Sequence, residues 1–203
     1  MCGIFSLVGK KFSKTKIKEM FNTLKVRGPE FSELLTLENN IHLGFHRLSI
    51  NDVSAKGNQP FYHPNDNNIV VICNGEIYNY KNLKEKYNFN DYKSSSDCEI
   101  LVWLYKEIGI ENMIKELDGV FAFVLVDMNI NKIFAGRDPY GVRPLFFGKG
   151  QNTFGFSSEL KAINELDYIE PFKPGSWCSI NYLEDFASNT KLEYNTYFDY
   201  IYN

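Results

Sequence analysis

The sequence has few cysteines and no arrangement of them suited to zinc. Only Cys2, Cys73, Cys98 and Cys178 are present, with no C-x-x-C pair and no matching histidine spacing. This implies free thiols in a reducing, cytosolic setting, and small buried roles for Cys73, Cys98 and Cys178. No apolar run approaches the length of a membrane span. The stretch 4–8 is too short for a secretory signal and lacks a basic flank. Positive charge is sparse too: 22 Lys and Arg stand against 25 Asp and Glu, for a net charge of −3. Beyond a short cluster at 10–18 nothing resembles the basic stripe of a nucleic-acid binder. There is no G-x-x-x-x-G-K-S/T phosphate loop, no internal repeat and no low-complexity linker. What remains is 203 residues, 44% hydrophobic and 23% charged, enough for one sizeable domain with a good core.

Strand signals dominate. Short runs rich in β-branched and aromatic residues occur at 3–8, 41–45, 69–73, 120–127, 132–135, 144–147 and 154–157, most bounded by Gly, Asn, Asp or Pro. The stretch 120–126 is apolar at every position, which predicts a strand covered on both faces and a layered fold. Ser13 can cap a helix with Ile17, Met20, Phe21 and Leu24 on one face, stopped by Gly28-Pro29. Ser96 and Glu99 read as a capping box before a helix carrying Ile100, Leu101, Leu104, Tyr105 and Ile108, closed by Gly109. Shorter helices are expected at 82–87 and 111–117. After residue 185 the chain turns polar and aromatic without a clear period. The sum suggests packed sheets with helices outside; periodicity alone leaves the topology open.

Four features carry possible chemistry. Removal of Met1 would give Cys2 a thiol and an α-amine on one residue. The amine, with a pKa of about 8, can take the thiol proton directly or through one water. Otherwise Cys2 is a small strand residue. Asn74-Gly75 reads either as a tight turn or as a pair of oxyanion donors, one amide and one backbone N–H. Arg47, leaving a strand after His46, is either half of a surface ion pair or a two-pronged carboxylate clamp. His46 reads as structural. Asp97 either answers the dipole of the helix it begins or receives a substrate ammonium.

A series of motifs occurs in order: Met1-Cys2-Gly3-Ile4, Arg27-Gly28-Pro29, His46-Arg47-Leu48-Ser49-Ile50, Asn74-Gly75-Glu76-Ile77-Tyr78-Asn79, Ser96-Asp97-Cys98-Glu99, Asp118-Gly119-Val120-Phe121-Ala122-Phe123 and Gly136-Arg137-Asp138-Pro139-Tyr140-Gly141-Val142-Arg143-Pro144-Leu145. Together they resemble the class II glutamine amidotransferase domain, nearest to the glutaminase half of glutamine-hydrolysing asparagine synthetases, over almost the whole chain to about Tyr182. The resemblance implies an α+β fold, a four-layer αββα N-terminal-nucleophile hydrolase sandwich of two antiparallel sheets. It would span residues 2–182. Residues 183–203 would be a tail or the start of a connection to an absent synthetase domain.

The resemblance also implies site roles. Cys2 would attack the side-chain amide of glutamine with its own amine as base. Asn74 and the Gly75 N–H would stabilise the oxyanion, Arg47 would bind the α-carboxylate and Asp97 the ammonium. Backbone groups of Leu48, Ser49, Ile50, Asn51 and Glu76 would complete the pocket. No metal and no cofactor are expected in this chain; ATP and magnesium would belong to a synthetase domain. The expected partners are glutamine and an ATP-dependent synthetase domain or chain, with no nucleic acid and no membrane. Two departures stand out. Val26-Arg27-Gly28-Pro29-Glu30 replaces the His-Arg-Gly-Pro-Asp frequent in relatives, which implies an altered loop. The Ser-Gly-Gly-x-Asp-Ser loop of the synthetase domain is absent from these residues. Two other readings are a domain of the same family serving phosphoribosyl or aminosugar synthesis, and a catalytically idle domain that senses glutamine or binds a partner.

Overall fold

The computed structural model describes residues 1–50, 52–183 and 192–199. In chain order the elements are β1 (Gly3–Gly9), α1 (Lys14–Asn22), β2 (Phe31–Leu37), β3 (Ile41–Arg47), β4 (Phe61–His63), β5 (Asp66–Ile77), α2 (Tyr80–Lys86), α3 (Ile100–Glu116), β6 (Gly119–Asp127), β7 (Lys132–Arg137), β8 (Phe146–Gly150), β9 (Thr153–Ser157), β10 (Tyr168–Pro171), β11 (Ser176–Asn181) and β12 (Asn195–Thr196). The strands form two six-stranded sheets, ordered β10-β8-β9-β1-β3-β2 and β12-β11-β7-β6-β5-β4. Neighbours within both sheets run antiparallel.

Strand alternation explains the layering. On β6, Ala122, Val124 and Val126 point into the space between the sheets, where they meet Ile4, Leu43, Phe45 and Ile72. The intervening Phe121, Phe123 and Leu125 point outward, against Leu101, Leu104, Met113 and Ile114 of α3. On the other sheet Phe5 and Leu7 face outward and receive Ile17, Met20 and Phe21 of α1. The order is therefore helix, sheet, sheet, helix, as the α+β sandwich reading expects. Strand 120–126 is apolar throughout because both its faces are covered.

α1 begins where the sequence indicates: the Ser13 hydroxyl accepts the Lys16 N–H at 3.2 Å. The two helices expected on either side of Gly109 both form, and together make up α3; Gly109, with non-helical φ of +71° and ψ of 169°, separates them at a kink. Each fully buried Leu, Ile or Phe contributes about 1.5–3 kcal/mol. A glycine in a helix interior costs about 1 kcal/mol. Both halves of α3 nevertheless pack in the same core cluster as β6, through Leu101 and Leu104 before the kink and Met113 and Ile114 after it. The Ser96–Glu99 capping box does not form: Ser96 makes no side-chain cap bond. Glu99 instead accepts the N–H groups of Lys93 and Ser94, the Ser94 hydroxyl and the Trp103 indole. Its carboxylate is worth more to the loop before the helix, where several donors converge, than to one cap N–H. The segment 192–199 packs back on the domain, with β12 paired to β11 and the Tyr197 hydroxyl donating to the Arg137 carbonyl at 2.8 Å.

Candidate active site

Four segments from both sheets meet at one cavity of about 50 Å³. Cys2, just before β1, brings its sulfur. Arg47 and Leu48 come from the end of β3, Asn74, Gly75 and Glu76 from the end of β5, and Asp97 from the turn that starts α3; Ile50 also borders it. The structure thus brings together eight of the ten residues predicted from sequence. Ser49 does not line the cavity; its N–H donates to Glu30 Oε2 at 2.8 Å. Asn51 lies outside the described residues.

The Cys2 sulfur is cradled by the backbone of Leu48: the Leu48 N–H donates to it at 3.5 Å, and the Leu48 carbonyl lies 3.6 Å away. Arg27 fixes the same residue from the other side, donating from Nε to the Cys2 carbonyl at 2.9 Å while pairing with Glu159 at 3.0 Å. Burial pushes the Cys2 thiol above its ordinary range; the Leu48 N–H and the α-amine, here on Met1, act in the opposite direction without offsetting it. A thiol in that state needs a base to become a nucleophile. Two of the other thiols are less suited to attack. Cys98 is pushed well up, first by its hydrogen bond with Cys73 and then by burial, and burial takes Cys178 to about 12. Cys73, Cys98 and Cys178 are all buried, as their composition-based reading expects.

Asn74-Gly75 is not a turn. Both residues lie within β5, paired with Ala122 and Phe121 of β6. A side chain at position 75 would place its Cβ 2.6 Å from the Val120 carbonyl oxygen, so close strand contact requires this glycine. Asn74 is buried, and its Nδ2 has no hydrogen-bond partner. Buried polar groups are nearly always paired, so an orphan donor on a residue that borders the same cavity as Cys2 requires explanation.

Arg47 is buried by the loop it organises. Its guanidinium donates to the carbonyls of Asp52 and Ser54, the latter at 2.7 Å, and to Asn58 Oδ1 at 2.5 Å. Gly57 packs so tightly there that a Cβ would lie 2.5 Å from Arg47 Nη2. Asp97 is buried, and Oδ2 accepts the Ile77 N–H at 2.6 Å, joining the start of α3 to the end of β5. His46 is structural: Nδ1 lies 2.7 Å from the Ser32 hydroxyl, Nε2 lies 3.0 Å from the Phe21 carbonyl, and the ring stacks on Phe21.

Three contributors escape a reading by residue type. Arg27 was visible only as part of Arg-Gly-Pro. Gln59 is buried and acts as a substitute strand, accepting the Cys73 N–H at 2.6 Å and donating to its carbonyl at 3.0 Å. Arg143, at the end of a long motif, reaches the cavity and lies 3.4 Å from Glu76. Among the described residues no three His, Cys, Asp or Glu side chains group as metal ligands, and no helix is long and apolar enough to cross a membrane.

A cysteine sulfur and a residue with an unpartnered amide donor thus border one cavity of a two-sheet sandwich between helices. The model of the glutamine amidotransferase domain matches residues 1–179, and the chain belongs to that family. A probable glutamine-hydrolysing asparagine synthetase of Acanthamoeba polyphaga mimivirus is 42% identical over 190 residues, covering 89% of this chain and 34% of the relative. The glutamine-hydrolysing asparagine synthetase of Asparagus officinalis is 38% identical over 182 residues, covering 87% and 30%. The chain thus spans about a third of the length of these curated relatives. Among solved structures, the glutamine phosphoribosylpyrophosphate amidotransferase of B. subtilis shares the fold, with a TM-score of 0.79 at 20% identity over 98% of this chain and 50% of that one.

Proposed function

We propose that this chain hydrolyses the side-chain amide of glutamine to glutamate and ammonia, and that the nitrogen serves asparagine synthesis. The observation that carries the reading is the unpartnered Nδ2 of Asn74 in the cavity that receives the Cys2 sulfur. Met1 itself borders the cavity, so its removal both exposes the Cys2 amine and widens the space at the sulfur.

The Cys2 sulfur attacks the amide carbon while the Cys2 α-amine takes the thiol proton. Negative charge then develops on the amide oxygen. Asn74 Nδ2 and the Gly75 N–H stabilise it as donors already in position, without reorganising. The protonated amine returns its proton to the departing nitrogen, the C–N bond breaks and ammonia leaves a γ-glutamyl thioester. Water, activated by the same amine, hydrolyses the thioester to glutamate and restores the thiol. Arg47 binds the α-carboxylate of glutamine and Asp97 its ammonium, while the backbones of Leu48, Ser49, Ile50, Asn51 and Glu76 close the pocket. The matching of charge to both ends of a free amino acid explains why glutamine rather than a peptide amide is the substrate.

Residues 2–182 form this unit, and 183–203 begin the connection to an ATP- and magnesium-using synthetase domain or chain that accepts the ammonia. The chain's span of about a third of its asparagine synthetase relatives supports this assignment. Glutamate release from the chain, read with and without Cys2→Ala, tests the mechanism. Wild type should release glutamate and the variant none. An electrophilic glutamine analogue should label Cys2; labelling at Cys73 or Cys98, or full activity in the variant, overturns the reading.

A further inference from the structure

Among the described residues four buried side-chain polar atoms lack a hydrogen-bond partner: Ser6 Oγ, Asn74 Nδ2, Tyr92 Oη and Arg143 Nε. Of the four residues, only Asn74 and Arg143 border the cavity that holds the Cys2 sulfur. Both orphan atoms are N–H donors. A cavity bordered by two residues that each carry an unpaired donor suits a ligand that brings acceptors.

The fold holds Arg143 in place by its backbone. The buried Asp138 carboxylate accepts the N–H groups of Tyr140, Val142 and Arg143 at 3.1, 2.9 and 3.0 Å. On the other side Arg137 Nε donates to the Arg143 carbonyl at 2.8 Å, and Arg137 Nη2 to the Gly141 carbonyl at 2.8 Å. The Asp138 N–H donates to the Phe121 carbonyl, which ties this clamp to the strand paired with Gly75. The side chain then crosses to β5, where Nη2 meets Glu76 Oε1 at 3.4 Å. Asn74 and Glu76 are two apart on one strand, so their side chains share a face. A guanidinium anchored on Glu76 therefore lies on the face that carries the Asn74 amide.

We infer that Arg143 is a further oxyanion-stabilising residue, its guanidinium and free Nε–H supplying a third donor and a fixed positive charge to the tetrahedral intermediate formed on Cys2. The inference rests on the glutaminase reading above. Glu76 sets the position of the charge and keeps it from binding the ground-state carboxylate, which Arg47 serves. The effect is confined to the state in which negative charge has developed. It should appear in kcat and leave substrate binding nearly untouched.

The test measures glutamate release by the full chain with Arg143→Gln, together with inhibition by the γ-aldehyde analogue of glutamine and by glutamate. The aldehyde adds the Cys2 thiol across its C=O to give a thiohemiacetal, whose oxygen occupies the oxyanion position. The expected result is a fall in kcat of about 10²-fold, the usual consequence of losing one such donor, with a parallel loss of aldehyde affinity. KM for glutamine and inhibition by glutamate should change less than about threefold, as ground-state binding does not use this donor. Where the Gln variant does not fold, Arg143→Lys carries the test, because it keeps the charge and the Glu76 pair while removing the Nε–H; about a tenfold loss in kcat is then expected, part of one donor's effect. Unchanged kcat, or equal losses in aldehyde and glutamate binding, overturns the inference. If wild type releases no glutamate and its Cys2 resists the aldehyde, the glutaminase reading itself fails. An active wild type with an equally active Arg143 variant defeats this inference alone.

Discussion

β5 and β6 lie side by side and pair residue for residue from Ile69↔Asp127 to Ile77↔Gly119, yet they do different work. β6 is apolar from Val120 to Val126, and both its faces are buried from Phe121 onward. β5 matches it from Ile69 to Cys73 and then breaks the pattern with Asn74, Gly75 and Glu76, two of them polar. The break stands opposite Ala122, Phe121 and Val120, which continue the core. One strand therefore serves packing, and its neighbour gives up packing for three residues at the mouth of a cavity. A polar group placed inside a well-paired sheet with nothing to bond is destabilising by itself. Its presence there marks the site more clearly than any single residue type.

Substitutions on the two strands should separate stability from chemistry. The largest stability effect is expected from Phe123→Ala on β6. Removing a buried phenylalanine costs about 3–5 kcal/mol. Denaturant unfolding should show that loss, while kcat of the folded fraction stays near wild type. A large loss of kcat with normal stability would erase the distinction between the strands. Asn74→Ala on β5 should do the reverse. Glutamate release should fall about 10²- to 10³-fold, as for other oxyanion donors. The melting temperature should hold or rise, because the orphan Nδ2 is gone. A drop in melting temperature comparable to that of Phe123→Ala would show Asn74 to be structural.

The smallest effect concerns buried imidazoles that do not line the cavity. His42, His46 and His63, on β3 and β4, are each held below the ordinary imidazole range by burial. In the unfolded chain they take up protons near pH 6.5; in the folded protein they do so only at lower pH. Below about pH 6.5 the unfolded state then binds more protons, and stability falls as pH drops. Thermal unfolding between pH 7 and pH 5 should show a declining melting temperature, with a shallower slope in His46→Gln. An unchanged slope would remove His46 from this account.

Much of this was legible from local pattern. The alternation and caps gave β1, α1, β6 and the two parts of α3. Strands near the sheet edges were harder to read. The edge strand β2 carries exposed Ser32 and Glu33, and β11, next to the short edge strand β12, buries only alternate residues, Ser176, Cys178 and Ile180, with a serine among them. The Asn-Gly pair reads as a turn when its neighbours are unknown, because the contact that demands Gly75 comes from Val120, forty-five residues away in sequence. Glu99 reads as a cap by spacing alone, because the competing donors at Lys93 and Ser94 depend on how the preceding loop folds back.

The sequence by itself determined the layered fold, the family and which side chains could form a site for a free amino acid. Periodicity, glycine and proline placement and ordered motifs are properties of neighbouring residues, and the chain displays them directly. Only the tertiary structure decided which donors are satisfied. It left Asn74 Nδ2 and Arg143 Nε unpartnered, on residues that border the same cavity as Cys2, while Arg137, six residues before Arg143, found three carbonyls. Whether a buried hydrogen-bonding group has a partner depends on distant backbone brought within about 3 Å, and no local pattern encodes that distance.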